Sequence, residues 1–279
     1  MARTFPLPTD YDLDIHDTSS YYGKTSNKFI PIVQMIRHRF MKMRARYYLS
    51  LIPKSDERPK ILDVGCAEGR LLKSFLEYGC ECFGIEHPAY PEHRFLCRDR
   101  ITYFCENLDS IYMEEKSFDL IFLWHVLEHM DDPSSVMKRL TELLSPEGLL
   151  ILAVPNFPCP EAHFFKQSWF HLDIPWHKYH FNERSLEYIS EKNKLRIVSV
   201  NTFCIEQSIY GLLQSILNKT GWPKNELYEA IKGNLTYTRA PQLFVQFVMA
   251  SSLIAPSLFV SLLMAGSGKG SILNMILKK

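Results

Sequence analysis

Lys60-Ile61-Leu62-Asp63-Val64 runs without a break into Gly65-Cys66-Ala67-Glu68-Gly69, and the reading of the fold turns on that junction. The first five residues, mostly aliphatic, predict a short buried strand. The two glycines predict a tight turn, because glycine adopts left-handed backbone without steric cost and leaves the main chain open to a close neighbour. Leu71 to Tyr78 then predicts a helix closed by Gly79. A strand that feeds a glycine turn and opens a helix suits binding of a nucleotide-like ligand at the carboxyl edge of a sheet. Glu86 ends the next strand, Glu81 to Ile85, about 20 residues further on, where a carboxylate can accept hydrogen bonds from both ribose hydroxyls of an adenosine cofactor.

The alternation continues outward from this pair. Strands are expected at Ile101 to Phe104, Phe118 to Trp124, Leu149 to Val154 and Leu195 to Thr202, with helices at Ser134 to Leu144 and Glu183 to Asn193. The turn Ser145-Pro146-Glu147-Gly148 separates the first of these helices from its strand, and Gly270 to Leu277 would supply a last strand. This order implies an α/β fold, a doubly wound, mainly parallel seven-stranded sheet with helices on both faces. The chain divides into an N-terminal arm with a capping helix (1–58), a core (59–203), a helical apolar insertion (204–268) and the last strand (269–279).

A glycine turn followed by an acid also occurs in nicotinamide dehydrogenases, so these two features leave both classes open. With its further motifs the chain resembles the class I S-adenosylmethionine-dependent methyltransferases. Their first motif has the form acid-x-Gly-x-Gly-x-Gly, and the likeness continues through Phe118-Asp119-Leu120-Ile121, Leu127-Glu128-His129 and Leu144-Ser145-Pro146-Glu147-Gly148. One departure is Ala67, which stands at the motif's middle glycine. The resemblance implies a Rossmann-like fold and S-adenosyl-L-methionine as cofactor. It places Asp63, Gly65, Cys66, Ala67 and Gly69 around the methionine part, Glu86 at the ribose, Glu106, Asn107 and Leu108 by the adenine, and Trp124 and His125 beside the sulfonium. It is similar also to methyltransferase-domain proteins of bacterial polysaccharide and lipid-linked glycan pathways, which implies a small-molecule, glycan or lipid-linked acceptor methylated on oxygen, with nitrogen second.

A hydroxyl acceptor needs a base, and histidine is the residue whose ordinary pKa suits that task near neutrality. His125 and His129 stand four apart after the Phe118 strand, while His171, Asp173, His177, Tyr179 and His180 share the loop that leaves the next strand. The candidate catalytic residues are therefore His125, His129, His177, Tyr179 and His180. Alternatives for the histidines are capping and packing, and for the whole chain a non-catalytic binding or scaffold protein of the same fold. The spacing of His171, His177 and His180 fits no standard ligand pattern, so no metal is expected.

With 46% hydrophobic residues and a formal net charge of +1, the chain gives no footprint of a nucleic-acid binder that works by bulk electrostatics. Its seven cysteines form no CxxC pair and are expected as reduced core thiols. The opening seventeen residues lack the apolar run of a signal peptide, so a cytoplasmic location is expected. From Asn27 to Leu51 apolar residues recur at helical spacing, interrupted by Pro31, opposite a basic face of Arg37, His38, Arg39, Lys42, Arg44 and Arg46. That face suits anionic lipid, a phosphorylated substrate or plain solvent. Leu243 to Ala265 carries no charge over a length near that of a bilayer, and three readings stand: contact with the membrane surface, a buried hairpin bent near Pro256, or a spanning helix.

Overall fold

The computed structural model describes residues 1–4, 31–88, 95–231 and 240–279. In chain order its main elements are β1 (Ala2–Arg3), α1 (Pro31–Leu49), β2 (Lys60–Val64), α2 (Arg70–Leu76), β3 (Glu81–Ile85), β4 (Ile101–Phe104) and β5 (Phe118–Trp124). They continue with α3 (Pro133–Leu143), β6 (Leu144–Pro155), α4 (Pro160–Phe165), β7 (Tyr179–His180), α5 (Glu183–Lys192) and β8 (Arg196–Asn201). The last are α6 (Ile205–Lys219), α7 (Glu226–Ile231), α8 (Ala240–Gly266) and β9 (Ile272–Lys278).

Seven strands form one sheet in the order β4-β3-β2-β5-β6-β9-β8, as expected. The pairings β2 with β3, β3 with β4, β2 with β5 and β5 with β6 are all parallel. Parallel strands covered on both faces read as continuous apolar runs rather than alternating ones, and Leu120 to Leu123 and Leu149 to Val154 are each buried throughout. The chain builds outward through β3 and β4, then returns to the other side of β2 with β5. The carboxyl ends of β2 and β5 therefore flank the switch point, where open α/β sheets hold their ligands. In this register Asp63 lies between Gly84 and Phe122.

The helix α1 is described from Pro31 onward; Asn27 to Ile30, the start of the expected helix before Pro31, lie outside the described residues. Ser145 to Gly148 are assigned to β6 but stand out of its ladder: Phe118 pairs with Leu144 and Leu120 with Leu149, so the extra residues of the expected turn lie on β6. The start of α3 follows the rules of capping: Asp132 accepts hydrogen bonds from the N–H groups of Ser134 and Ser135, with Pro133 as first helical residue.

The chain divides into two compact units. One runs from α1 to Ala153 and adds Leu186–Ser199 and Met275–Lys279. Its core centres on Phe122, which meets Tyr48 of α1 and Phe75 of α2 with ring centroids 5.2 and 5.4 Å away. The other holds the N-terminal strand, Val154–Ser185 and Val200–Asn274. Here β1 pairs antiparallel with β7, Ala2 opposite His180, so the first residues of the expected arm are in a strand. Also in this unit, Leu217 of α6, Leu227 of α7 and Ala250 of α8 form one apolar cluster. The hairpin expected near Pro256 is absent: α8 runs through Pro256 as a single helix of 27 residues. A proline inside a helix kinks it without reversing it. The helix is also mostly unburied, with 17% of its most apolar window inside the protein.

Candidate cofactor site

The glycine turn closes on itself through main-chain bonds. Gly65 N–H and Cys66 N–H both donate to Ile85 O, at 2.8 and 3.1 Å, and Gly69 N–H donates to Cys66 O at 2.9 Å. Gly65, Ala67 and Gly69 all have positive φ, at 76°, 48° and 81°. Glycine is required at the outer two for a second reason. A methyl at Gly65 would stand 2.3 Å from Cγ2 of Val126, and one at Gly69 would stand 1.9 Å from the Tyr103 hydroxyl. The exposed Ala67 meets no such obstacle and bears a backbone cost of about 1 kcal/mol for its left-handed conformation.

Glu86 follows β3 and is 7% exposed. Its Oε2 accepts from Ala67 N–H at 2.6 Å and its Oε1 from His87 N–H at 2.8 Å. This pair of bonds orients the carboxylate beside the glycine turn, and a carboxylate is an acceptor group of the kind that a ribose diol needs. The residues thus fit the ribose of an adenosine cofactor, S-adenosylmethionine in this family.

Asp63, the penultimate residue of β2, is buried, and its carboxyl is pushed up to about 8 by loss of solvation first and by the charge of Glu86 second. The Arg44 guanidinium opposes the shift. Arg44 comes from α1 and stacks over the Trp124 ring, 4.3 Å from its centroid. One residue of the basic face therefore serves the site instead of solvent. Arg44 was not singled out in the sequence, and its only signal there was membership of a charged helix face.

Two other residues were also missed. Gly84 lies beside Asp63, and a methyl on it would meet the Cys66 thiol at 2.7 Å and the Tyr103 ring at 2.9 Å. Tyr103 stacks on Phe95 with centroids 4.1 Å apart and donates to Leu96 O at 2.9 Å, so its hydroxyl fills the space that Gly69 leaves. Cys66 turns inward, and burial raises its thiol, with Asp63 and Glu86 adding to the rise; it contributes its main chain to the turn. Glu106 and Asn107 are exposed, while Leu108 is buried at the start of a short 3-10 turn.

His125 follows β5 directly, at the switch point. Its φ is +57°, its N–H donates to Ala153 O at 2.8 Å, and its Nδ1 lies 3.4 Å from Oε1 of the fully buried Glu128. The left-handed backbone turns the chain at the end of the strand, and the Glu128 carboxyl lies beside the ring. His129 ends a single 3-10 turn and is half-buried. His125 and His129 are not on a common α-helical face, as only Leu127–His129 is helical there.

The other candidate histidines belong to the second unit and make structural bonds. His177 Nδ1 is 2.9 Å from His171 O, and His171 Nε2 is 3.2 Å from Gln207 O. His177 Nε2 lies 3.9 Å from Asp173 Oδ2. His180 Nε2 is 3.2 Å from the Thr4 hydroxyl, and burial lowers the His180 pKa, which keeps the ring neutral near pH 7. Tyr179 is buried in the two-stranded ribbon under Arg3. In the same unit the buried Glu161, not considered in the sequence, has its carboxyl raised to about 7 by burial, tempered by Ser271 and Trp169.

Comparison with known proteins bears on the fold and the family. The ubiquinone biosynthesis O-methyltransferase of Coxiella burnetii (strain Dugway 5J108-111) is 23% identical over 155 residues, 53% of this chain and 65% of that protein. The Pasteurella multocida (strain Pm70) protein of that name is 30% identical over 112 residues, 35% of this chain and 46% of its own. The chain thus spans less than two thirds of these curated relatives. Among solved structures, a SAM-dependent methyltransferase from Archaeoglobus fulgidus is 19% identical with a TM-score of 0.51, covering 87% of this chain and 94% of that one. Phosphoethanolamine N-methyltransferase 2 of Haemonchus contortus, in complex with S-adenosyl-L-methionine, is 16% identical with a TM-score of 0.52, covering 85% and 52%. These two share the fold. Residues 35–200, which contain the turn, Glu86 and His125, match the family model described as a methyltransferase domain, and the chain belongs to that family.

Proposed function

We propose that this protein transfers a methyl group from S-adenosylmethionine to an oxygen of a small-molecule acceptor, with glycan and lipid-linked acceptors included in the class. The observation that carries the reading is Glu86, a buried carboxylate at the end of β3 whose two oxygens are oriented by the Ala67 and His87 N–H groups beside the glycine turn. The names of the two curated relatives described above, both O-methyltransferases of ubiquinone biosynthesis, favour oxygen over nitrogen.

When bound, the cofactor supplies an electrophilic methyl on a sulfonium centre. The chain's own part is alignment, exclusion of water and disposal of the acceptor proton. Arg44 offers a fixed cation beside Asp63 and Trp124 for the carboxylate of the methionine part. His125, with the Glu128 carboxyl 3.4 Å from its Nδ1, is the proposed base that takes the hydroxyl proton as the oxygen–methyl bond forms and the sulfur–methyl bond breaks.

The test is calorimetry of the protein with S-adenosylmethionine and S-adenosylhomocysteine, wild type against Glu86→Ala, followed by a methyl-transfer screen of phenols, sugars and amines. Micromolar binding that weakens at least tenfold in the variant is expected, with turnover on a hydroxyl acceptor. Absence of binding to both ligands would overturn the proposal in favour of a non-catalytic scaffold.

A further inference from the structure

The helix α8 is built the wrong way round for water. Its inward stripe follows helical spacing through Gln246, Ala250, Ser257 and Ser261, all buried and all small or polar. Its outward side carries Phe244, Val245, Phe247, Val248, Ile254, Phe259, Leu262 and Leu263, each between 46% and 68% exposed. A surface helix of a soluble protein shows the reverse arrangement. At 1.5 Å per residue the charge-free helix is ~40 Å long, well beyond the scattered apolar exposure that soluble surfaces tolerate.

Two details identify the medium that suits this face. The exposed hydroxyls of Ser251 and Ser252 bond to their own helix, at Phe247 O and Met249 O, 2.7 and 2.8 Å away. Polar groups that meet hydrocarbon must be satisfied internally in this way. A protein interface of such length would instead present a polar rim and about one hydrogen bond per 100–200 Å², and the run from Leu243 to Ala265 presents no charged side chain.

Both ends of the helix are tied to the same unit. Gln246 bonds to Glu226 of α7 at 2.5 Å, and Ala265 O accepts from the Thr202 hydroxyl at 3.4 Å. Between them, Ala250 packs with Leu217 of α6. A helix that crossed the bilayer would draw these neighbours into it, together with the buried Glu226.

We propose that α8 is a monotopic lipid-docking element, its inner stripe on α6 and α7 and its outer face sunk in the acyl region of one leaflet. The occupant is a lipid bilayer held by apolar contact. Binding therefore needs no anionic headgroup and survives high salt.

Flotation of the full chain with phosphatidylcholine vesicles, and with the same vesicles containing phosphatidylglycerol, tests this. Co-flotation with both kinds in low and high salt is expected, and the double variant Phe247→Glu with Phe259→Glu should lower bound protein more than tenfold. S-Adenosylhomocysteine affinity, measured in parallel, should be unchanged in that variant, which shows that it is folded and separates this inference from the proposed activity. A wild-type chain that stays off both vesicles overturns it. So does a dimer that the double variant dissociates without vesicle binding, since the face would then be an interface between two copies. Binding only to the phosphatidylglycerol vesicles, abolished by salt, would overturn apolar docking in favour of headgroup electrostatics.

Discussion

The carboxylate of Glu86 accepts a hydrogen bond from the backbone N–H of Ala67 at 2.6 Å, across the turn that joins β2 to α2. One acid thereby braces the left-handed turn and, in the proposed function, also holds the cofactor ribose. Glu86→Ala removes both roles, and Glu86→Gln keeps one acceptor of the two. A charged hydrogen bond contributes about 1.5–3 kcal/mol, so cofactor affinity should fall at least tenfold in the alanine variant and less in the glutamine variant. Calorimetry checks the order; equal affinity in all three would remove Glu86 from the site.

Asp63 gives the cofactor-free protein a specific pH dependence. The folded state holds the proton up to about pH 8, whereas an ordinary aspartate carboxyl loses it near 3.8. A folded pKa raised above the unfolded one stabilises fully below the unfolded value, and that contribution is lost as pH rises through the window towards 8. Asp63→Asn should therefore lose less melting temperature than wild type between pH 5 and pH 8. Arg44→Ala, which removes the cation that opposes the shift, should extend the wild-type loss to higher pH. Parallel melting curves of the wild type and of Asp63→Asn would contradict the assignment.

The packing of Gly65 against Val126 predicts a partial rescue. Gly65→Ala forces a methyl to within 2.3 Å of Cγ2 at a φ of 76°, and overpacking of this kind costs about 1–3 kcal/mol. Val126→Ala added to it should recover the steric part and leave the strain of the left-handed backbone. Chemical denaturation of the two single variants and the double variant measures the coupling. Simple additivity would mean that the two residues do not touch.

His125 and Glu128 should separate in steady-state kinetics. Loss of a general base lowers turnover by about 10²–10⁴-fold, so His125→Ala should reduce kcat to that extent with little change in KM for the cofactor. Glu128→Gln keeps the shape of the buried side chain and should reduce kcat less. An unchanged kcat in His125→Ala would move the base to another residue, with the neutral His180 the next to test.

Much of this was legible in one dimension. The apolar runs of β2, β5 and β6, the glycine turn and Glu86 at the end of β3 are local signals: continuous burial, positive φ and a strand terminus each leave a mark within a few residues. Those marks placed the sheet and put Glu86 at the glycine turn of the candidate site. They could not place Arg44 on Trp124, because α1 and β5 are far apart in sequence and meet only once the sheet has closed between them. Tyr103 and Gly84 were hidden for the same reason, since their role lies in a gap created by Gly69 and Cys66. The histidines of the 155–181 loop looked alike in sequence, and only tertiary hydrogen bonding to His171 O, Gln207 O and Thr4 separated them into individual positions. The apolar character of Leu243 to Ala265 was plain from composition. Which of its faces turns inward was not, because that choice depends on what α6 and α7 offer it: small and polar side chains pack there, and the large apolar ones are left outside.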